Sequence, residues 1–278
     1  MPSQADKAAA FRALHERPGA FIIPNPWDAG TARLLAALGF EALATTSLGV
    51  ANMLGRTDAS VSRADVIENT RAIAEATDLP VSVDLENCFA HEPKAAAEAV
   101  RLAFEAGAVG GSIEDFTGDR QEPIYDFDLS VARVRAAVAM ARSFSAPFVL
   151  TARAENLIRG RNDMADTIRR LQAYEEAGAD VLYAPGLRNP AEIREVVRAV
   201  KRPVNVVTGW LDPDVTAAQI AEAGGKRISV GGLLSRLALA NVIQAGQAMK
   251  EQGSFAWMRD VLPFAETSRL LAEGARRS

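Results

Sequence analysis

The 278-residue chain has one cysteine, Cys88, and only two histidines, His15 and His91. One thiol cannot form an internal disulfide, and two imidazoles are too few for a histidine-rich zinc hydrolase site. No window approaches the roughly 18 consecutive apolar residues that a membrane span requires. No basic segment followed by an apolar one stands near Met1. Basic runs are absent too: 31 Lys+Arg against 35 Asp+Glu leave a net charge of −4. The expectation is a cytoplasmic protein with neither a membrane nor a nucleic acid as partner.

What is present is alternation. Short apolar, β-branched runs read as strands at Ala20–Pro24, Ala42–Thr46, Val81–Asp84, Gly110–Glu114, Phe148–Arg153, Val181–Pro185, Val204–Thr208 and Ile228–Gly231. Helical spacing fills the intervals, as in Thr31–Leu38, Asp65–Ala76, Pro93–Ala106, Asp128–Ala141, Asp163–Ala177, Pro190–Val200 and Asp214–Ala223. Gly39, Gly107, Gly178 and Gly224 suit the left-handed closing position of a helix. Eight strand–helix units predict a parallel (β/α)8 barrel, an architecture that typically takes about 250 residues. An open doubly wound sheet is the alternative, but the first strand runs into Pro24-Asn25-Pro26-Trp27-Asp28 rather than Gly-x-Gly-x-x-Gly. No linker interrupts the chain, so residues 1–278 are expected to form one barrel domain with a helical extension over about 233–278. Gln4–His15 could cover the barrel floor. The extension reads as helices over Leu233–Lys250 and Phe255–Glu273, the second too apolar to sit in water. Docking on its own barrel and docking on a second subunit both remain open.

Polar residues collect where the strands end: Asn25 and Asp28, Thr45-Thr46-Ser47, Asp84 and Glu86, Glu114 and Asp115, Arg153 and Glu155, Asn205 and Thr208. In barrel enzymes that end carries the chemistry. Asp28 is equally a helix cap, and Asp115 a solvated acid. Asp84, Glu86 and Glu114, with Asp58 as a fourth candidate, would repel one another at one barrel mouth unless a cation or Arg153 offset them. Hard divalent cations take such oxygen ligands, which makes a metal site the leading reading. Asp84 and Glu86 share strand parity and would point the same way if the extended conformation continues. Arg153, ending a buried strand, needs an anionic partner, either Glu155 or a substrate carboxylate. Cys88 reads as a small buried side chain.

Three of these segments, Val81-Ser82-Val83-Asp84-Leu85-Glu86-Asn87, Gly110-Gly111-Ser112-Ile113-Glu114-Asp115 and Thr151-Ala152-Arg153-Ala154-Glu155, resemble the isocitrate lyase/phosphoenolpyruvate mutase superfamily. The likeness extends from Ile23-Pro24-Asn25-Pro26-Trp27-Asp28 to about Gly231. It implies a (β/α)8 barrel, a helix swapped between partners, and a homotetramer built as a dimer of dimers. It also implies Mg2+, with Mn2+ as a possible substitute, ligated by Asp84 and held largely through water by Asp58, Glu86 and Glu114. Thr46, Ser47 and Leu48 match the segment that holds the substrate carboxylate; Asn205 and Thr208, from their place at the end of the seventh strand, are expected as further substrate contacts. Arg153 matches the arginine facing the bound 2-oxo acid. The implied chemistry passes through a metal-stabilised, pyruvate-type enolate.

The departures are specific. The loop Phe116-Thr117-Gly118-Asp119-Arg120-Gln121-Glu122-Pro123 is shorter than the lyase loop and lacks its cysteine, leaving Arg120 as a substitute loop cation. Gly186 replaces the lyase glutamate after Pro185, and Cys88-Phe89-Ala90 replace glycines usual after the paired acids. The expected function is Mg2+-dependent carbon–carbon cleavage of a small 2-oxo or 2-hydroxy dicarboxylate, with oxaloacetate decarboxylation as the best single guess. Phosphoryl chemistry of the mutase or phosphonopyruvate hydrolase type, and a non-catalytic oxo-acid-binding barrel, are the alternatives.

Overall fold

The computed structural model describes residues 2–275, so the expected extension to residue 278 runs past the described residues. The strands are β1 (Phe21–Ile23), β2 (Leu43–Ala44), β3 (Val81–Asp84), β4 (Gly110–Glu114), β5 (Val149–Arg153), β6 (Val181–Tyr183), β7 (Val204–Val207) and β8 (Arg227–Ser229). All pair in parallel within one sheet, in the order β1-β8-β7-β6-β5-β4-β3-β2. The Ala44 N–H donates to the Pro24 carbonyl (3.1 Å) and bridges the remaining gap. This is the expected (β/α)8 barrel. Side chains alternate: Leu150, Ala152, Ile113 and Ile228 join the apolar layer under the helices, while Glu114, Arg153, Arg227 and Ser229 line a cavity inside the barrel.

The helices are α1 (Gln4–Glu16), α2 (Ala29–Ala37), α3 (Ser47–Met53), α4 (Arg63–Ala76), α5 (Pro93–Glu105), α6 (Phe127–Arg142), α7 (Met164–Glu176), α8 (Pro190–Ala199), α9 (Ala217–Glu222), α10 (Leu233–Gln252) and α11 (Phe264–Glu273). Asp28 caps α2 by accepting from the Thr31 N–H. Gly39, Gly107, Gly178 and Gly224 all take positive φ. Helix α3 was not anticipated; the Thr46 side chain caps it. Strand β8 starts at Arg227, one residue before the expected run, and α9 starts late because Thr216 and Gln219 form a capping box there.

Helix α1 plugs the barrel floor. Ala8, Phe11 and Leu14 pack with Phe21, Ile23, Val149 and Val181. A Cβ on Gly110 would lie 2.7 Å from the Phe11 ring, so β4 needs glycine for the plug to seat. His15 lies edge-on to Phe11 and Phe21, and burial, with Arg227 and Lys226 adding repulsion, pushes its pKa down from 6.5 to about 3. The unfolded chain therefore binds a proton below 6.5 that the folded chain refuses until about pH 3. Stability from this group is complete above pH 6.5 and is lost as pH falls through that window. Urea unfolding between pH 7 and 5 should show a slope from His15 approaching ~1.4 kcal/mol per pH unit. His15→Leu should flatten the curve by that amount, and an identical slope in both proteins would contradict the assignment.

The C-terminal extension departs from expectation. One helix over Phe255–Glu273 is broken into a 3-10 turn, Ala256–Asp260, and α11, because Pro263 stands at the helix start and cannot continue an upstream helix. Helix α11 folds back on α2 of the same chain. Gly274 then meets the Arg33 backbone where any Cβ would lie 1.7 Å from the carbonyl oxygen. Helix α10 instead leaves Leu237, Leu239, Val242 and Ile243 exposed, and Phe264 is 87% exposed. Among the described residues no helix is long and apolar enough to cross a membrane.

Candidate active site

The C-terminal ends of the strands surround a cavity of about 440 Å³. Its charged centre is Arg153, the last residue of β5. Arg153 Nη1 lies 2.9 Å from Asp84 Oδ1, and Nη2 lies 3.1 Å from Glu114 Oε2 and 2.8 Å from Glu155 Oε1. The guanidinium also faces the Tyr183 ring at 4.9 Å. Glu155 is thus one of three carboxylate partners. Asp84 Oδ2 accepts from the Ser47 N–H (3.2 Å) and Oγ (3.0 Å), tying the end of β3 to the first turn of α3. Thr45 Oγ1 accepts from the Asp84 N–H at 2.9 Å. Asn25 clamps the rim: its Oδ1 accepts from the Val230 and Gly231 N–H groups, while its Nδ2 donates to the Thr45 carbonyl.

Negative charge exceeds positive around this centre. Burial raises the Glu114 pKa well above the ordinary carboxylate range; Glu155 and Asp84 add to the rise and Arg153 opposes it. Burial, then Asp84 and Asp58, push Glu86 up to about 7, and Glu86 Oε1 is buried without a protein partner. Burial alone would lower the Arg153 pKa, but Glu114, Glu155 and Asp84 outweigh it and hold the guanidinium charged. Such a set fits a divalent cation, which would relieve the repulsion. The acids do not form a closed ligand shell. Among the described residues no three His, Cys, Asp or Glu side chains gather closely enough to hold one ion. The fit is to an ion held at few direct points, with the other carboxylates acting through water.

The extended conformation on which the shared parity of Asp84 and Glu86 depends does not continue. Strand β3 stops at Asp84, and Glu86 is left-handed, with φ of 49°. Cys88 (φ 60°) and Phe89 (φ 56°) follow it, in the stretch that replaces the glycines usual after the paired acids. Non-glycine residues in this region cost on the order of 1–3 kcal/mol each. Arg133 holds the loop in place by donating to the carbonyls of Asn87, Ala90 and His91. Cys88 is fully buried, as expected, and burial pushes its thiol up to about 12.

Of the residues singled out in the sequence, Asp58, Asp84, Glu86, Glu114, Arg153, Thr46, Ser47, Leu48 and Asn205 all line the cavity. Thr208 does not; it opens a 3-10 turn, Thr208–Trp210, whose Gly209 and Trp210 line the cavity instead. Arg120 does not either. Its loop closes on itself, with Thr117 bonding to Pro123 and Glu122, which leaves Arg120 exposed. The cation beside the loop is Arg159, which stacks over Phe116 at 3.7 Å and pairs with Glu155 Oε2 at 3.1 Å. The Glu155-x-x-x-Arg159 spacing was its signal. Asp115 is buried rather than solvated, because Arg170 (3.2 Å) and Tyr174 (2.7 Å), one turn apart on α7, both reach it. Its other oxygen accepts from the Glu155 N–H at 2.8 Å, which fixes the acid that Arg153 leans on. At Gly186 (φ 100°) a Cβ would lie 2.8–2.9 Å from Ile158 and Leu157, so the lyase glutamate has no room there.

Against known proteins, the sequence model of the phosphoenolpyruvate phosphomutase family matches residues 11–250. The chain belongs to that family, within the isocitrate lyase/phosphoenolpyruvate mutase superfamily. Two curated relatives of this phosphomutase-family member carry different activities. A 2-methylisocitrate lyase from Escherichia coli K12 is 32% identical over 77% of this chain and 74% of its own. An oxaloacetate decarboxylase from Paraburkholderia xenovorans LB400 is 30% identical over 70% and 66%. Among solved structures, a candidate lyase/mutase from Burkholderia cenocepacia J2315 superposes with a TM-score of 0.94 at 53% identity, covering 97% of this chain and 96% of that one. A phosphonopyruvate hydrolase in complex with oxalate and Mg2+ has a TM-score of 0.84 at 25% identity, covering 96% and 95%.

Proposed function

We propose that this family member is a Mg2+-dependent lyase that cleaves a carbon–carbon bond of a small 2-oxo or 2-hydroxy dicarboxylate and leaves a pyruvate-type enolate. Decarboxylation of an oxaloacetate-like acid is the best single reaction. The observation that carries this reading is the Arg153–Asp84–Glu114 cluster beside a loop that offers the cavity no acid: among residues 117–123 none lines it. Mg2+, or Mn2+ in its place, would be held by Asp84, with Glu86, Glu114 and Asp58 in support, and when bound supplies Lewis-acid polarisation of the 2-oxo oxygen.

The protein's own groups do the rest. Thr46, Ser47 and Leu48, at the start of α3, take the substrate carboxylate on backbone N–H and hydroxyl groups. Arg153 faces the oxygen on which negative charge develops, the arrangement that favours an enolate. Carbon dioxide departs unprotonated, so this cleavage needs no loop acid, and water can reprotonate the enolate. The relatives include both an oxaloacetate decarboxylase and a phosphonopyruvate hydrolase, so phosphorus–carbon cleavage is the second reading. An oxo-acid-binding barrel without turnover is the third. The exposed apolar face of α10 supports burial against a second copy, in keeping with a helix-swapped tetramer, and the lone buried thiol supports a cytoplasmic setting.

The test is Mg2+-dependent carbon dioxide release from oxaloacetate, read above the metal-only background, alongside phosphorus NMR on phosphonopyruvate. Release of inorganic phosphate instead would favour the second reading, and binding without turnover the third. Isocitrate and 2-methylisocitrate are expected to be poor substrates. Their cleavage requires proton transfer at the succinate-like product carbon, worth about 10²–10⁴-fold in rate, and neither a loop cysteine nor room for a glutamate at Gly186 exists here. Robust Mg2+-dependent glyoxylate release from isocitrate would contradict this.

A further inference from the structure

Below the Arg153 tier, the barrel lumen holds a second guanidinium that the proposed chemistry does not use. Arg227, the first residue of β8, is 5% exposed and lines the foot of the cavity. Its Nε donates to Asn205 Oδ1 at 2.7 Å and its Nη2 to Thr151 Oγ1 at 2.9 Å. Nη1 is buried with no protein partner, and among the described residues no carboxylate pairs with this arginine.

The placement follows from the barrel. Thr151 stands two residues before Arg153 on β5 and faces the same way, so it lies one lumen layer lower, roughly 6.6 Å along the strand. Strands β5 and β8 are separated by β6 and β7. Reaching Thr151 from β8 therefore carries the Arg227 guanidinium across the lumen, beneath Arg153. Asn205 is braced in turn by Ser229, whose Oγ accepts from Asn205 Nδ2 at 3.1 Å. Asn205, expected as a substrate contact, lines the cavity and also brackets Arg227.

A guanidinium taken out of water without a counter-charge is costly, and neutral side chains orient it without neutralising it. Its desolvation is strong enough to lower the Arg227 pKa to about 10. The acids of the upper tier are already engaged by Arg153 and Arg159. Two hydrogen bonds fix the plane of the guanidinium and leave the buried Nη1 without a protein partner, which suits a compact, oxygen-bearing anion.

We propose that the foot of the cavity is an anion-binding position in which Arg227 Nη1 receives a carboxylate, with Asn205 and Thr151 fixing the guanidinium. The carboxylate has two possible sources: a free small anion, or the far end of a dicarboxylate whose oxo-acid end sits at the upper tier. The position itself does not depend on the metal reading; only the dicarboxylate source rests on it.

Sodium formate is the first probe, titrated calorimetrically into the full-length protein in chloride-free buffer without Mg2+. Wild type is expected to bind formate saturably, Arg227→Met at least tenfold more weakly, and Arg227→Lys in between because it keeps the charge. Crystals grown with bromide should show an anomalous peak beside Nη1, which also decides the matter if Arg227→Met does not fold. Equal formate affinity in wild type and a folded Arg227→Met, or no bromide at Nη1, would overturn the proposal. The source is then read with Mg2+ present. If oxaloacetate but not pyruvate binds more weakly to Arg227→Met, and formate competes with oxaloacetate alone, the position holds the far carboxylate. If both oxo acids bind unchanged while formate still binds wild type, it holds a free anion. Because formate binding is measured without metal or turnover, a failed metal site would leave this result standing.

Discussion

Asp84→Ala is expected to abolish Mg2+-dependent oxo-acid binding and turnover while leaving the barrel folded. Asp84 is the acid at which two functions meet: its Oδ1 carries Arg153 and its Oδ2 carries the first turn of α3. Removing it deletes the most direct cation ligand of the proposed site, an interaction worth several kcal/mol, so the loss in turnover should reach at least ~10³-fold. The fold should survive because Arg153 keeps Glu114 and Glu155, and one member of a mutually repelling set has gone. Calorimetry with Mg2+ and pyruvate, alongside circular dichroism, checks both halves. Unchanged binding in the folded variant would sink the assignment of the metal site.

Arg153→Ala should lose far more rate than Cys88→Ala. The arginine offsets three carboxylates at once, and stripping one partner from a buried ion pair typically costs about 3–5 kcal/mol of stability. In catalysis, losing a charged donor to a developing oxyanion typically costs ~10²–10³-fold. Arg153→Lys separates the two effects: it keeps the charge and should restore folding, but a point charge cannot engage Asp84 and Glu155 as a planar fork does, so the rate should recover only in part. Cys88 lies wholly within the core, its thiol pushed up to about 12. Cys88→Ala should therefore stay within severalfold of wild type in Mg2+-dependent carbon dioxide release from oxaloacetate. Equal losses in the two variants would move the phosphoryl and binding-only readings ahead.

Much of this protein is written in local patterns. Eight β-branched runs separated by helical spacing can close in few ways, since a parallel strand pair demands a crossover and the crossover is right-handed. Asp28 as a cap, and glycines 39, 107, 178 and 224 as left-handed stops, depend only on the conformation of their own few residues. So does the placing of Asp84, Glu114 and Arg153 at strand ends, because strand limits and face alternation are short-range properties.

What only the tertiary structure decided is which charges face one another and how dry they are. Asp115 reads as a surface acid until α7 brings Arg170 and Tyr174 over it. Arg120, the cation beside the site in sequence, is turned away by a loop that bonds to itself, and Arg159 takes that place by stacking on Phe116. Glu86 leaves strand geometry because the Arg133 clamp holds its loop left-handed. Arg227 begins an ordinary-looking strand, and only barrel closure sends it across the lumen to Thr151. The reason is common to Asp115, Arg159, Glu86 and Arg227. Helices, caps and strand faces are set by interactions a few residues long, whereas the partner and the solvation of a charge are set by segments tens of residues apart that meet only when the barrel closes.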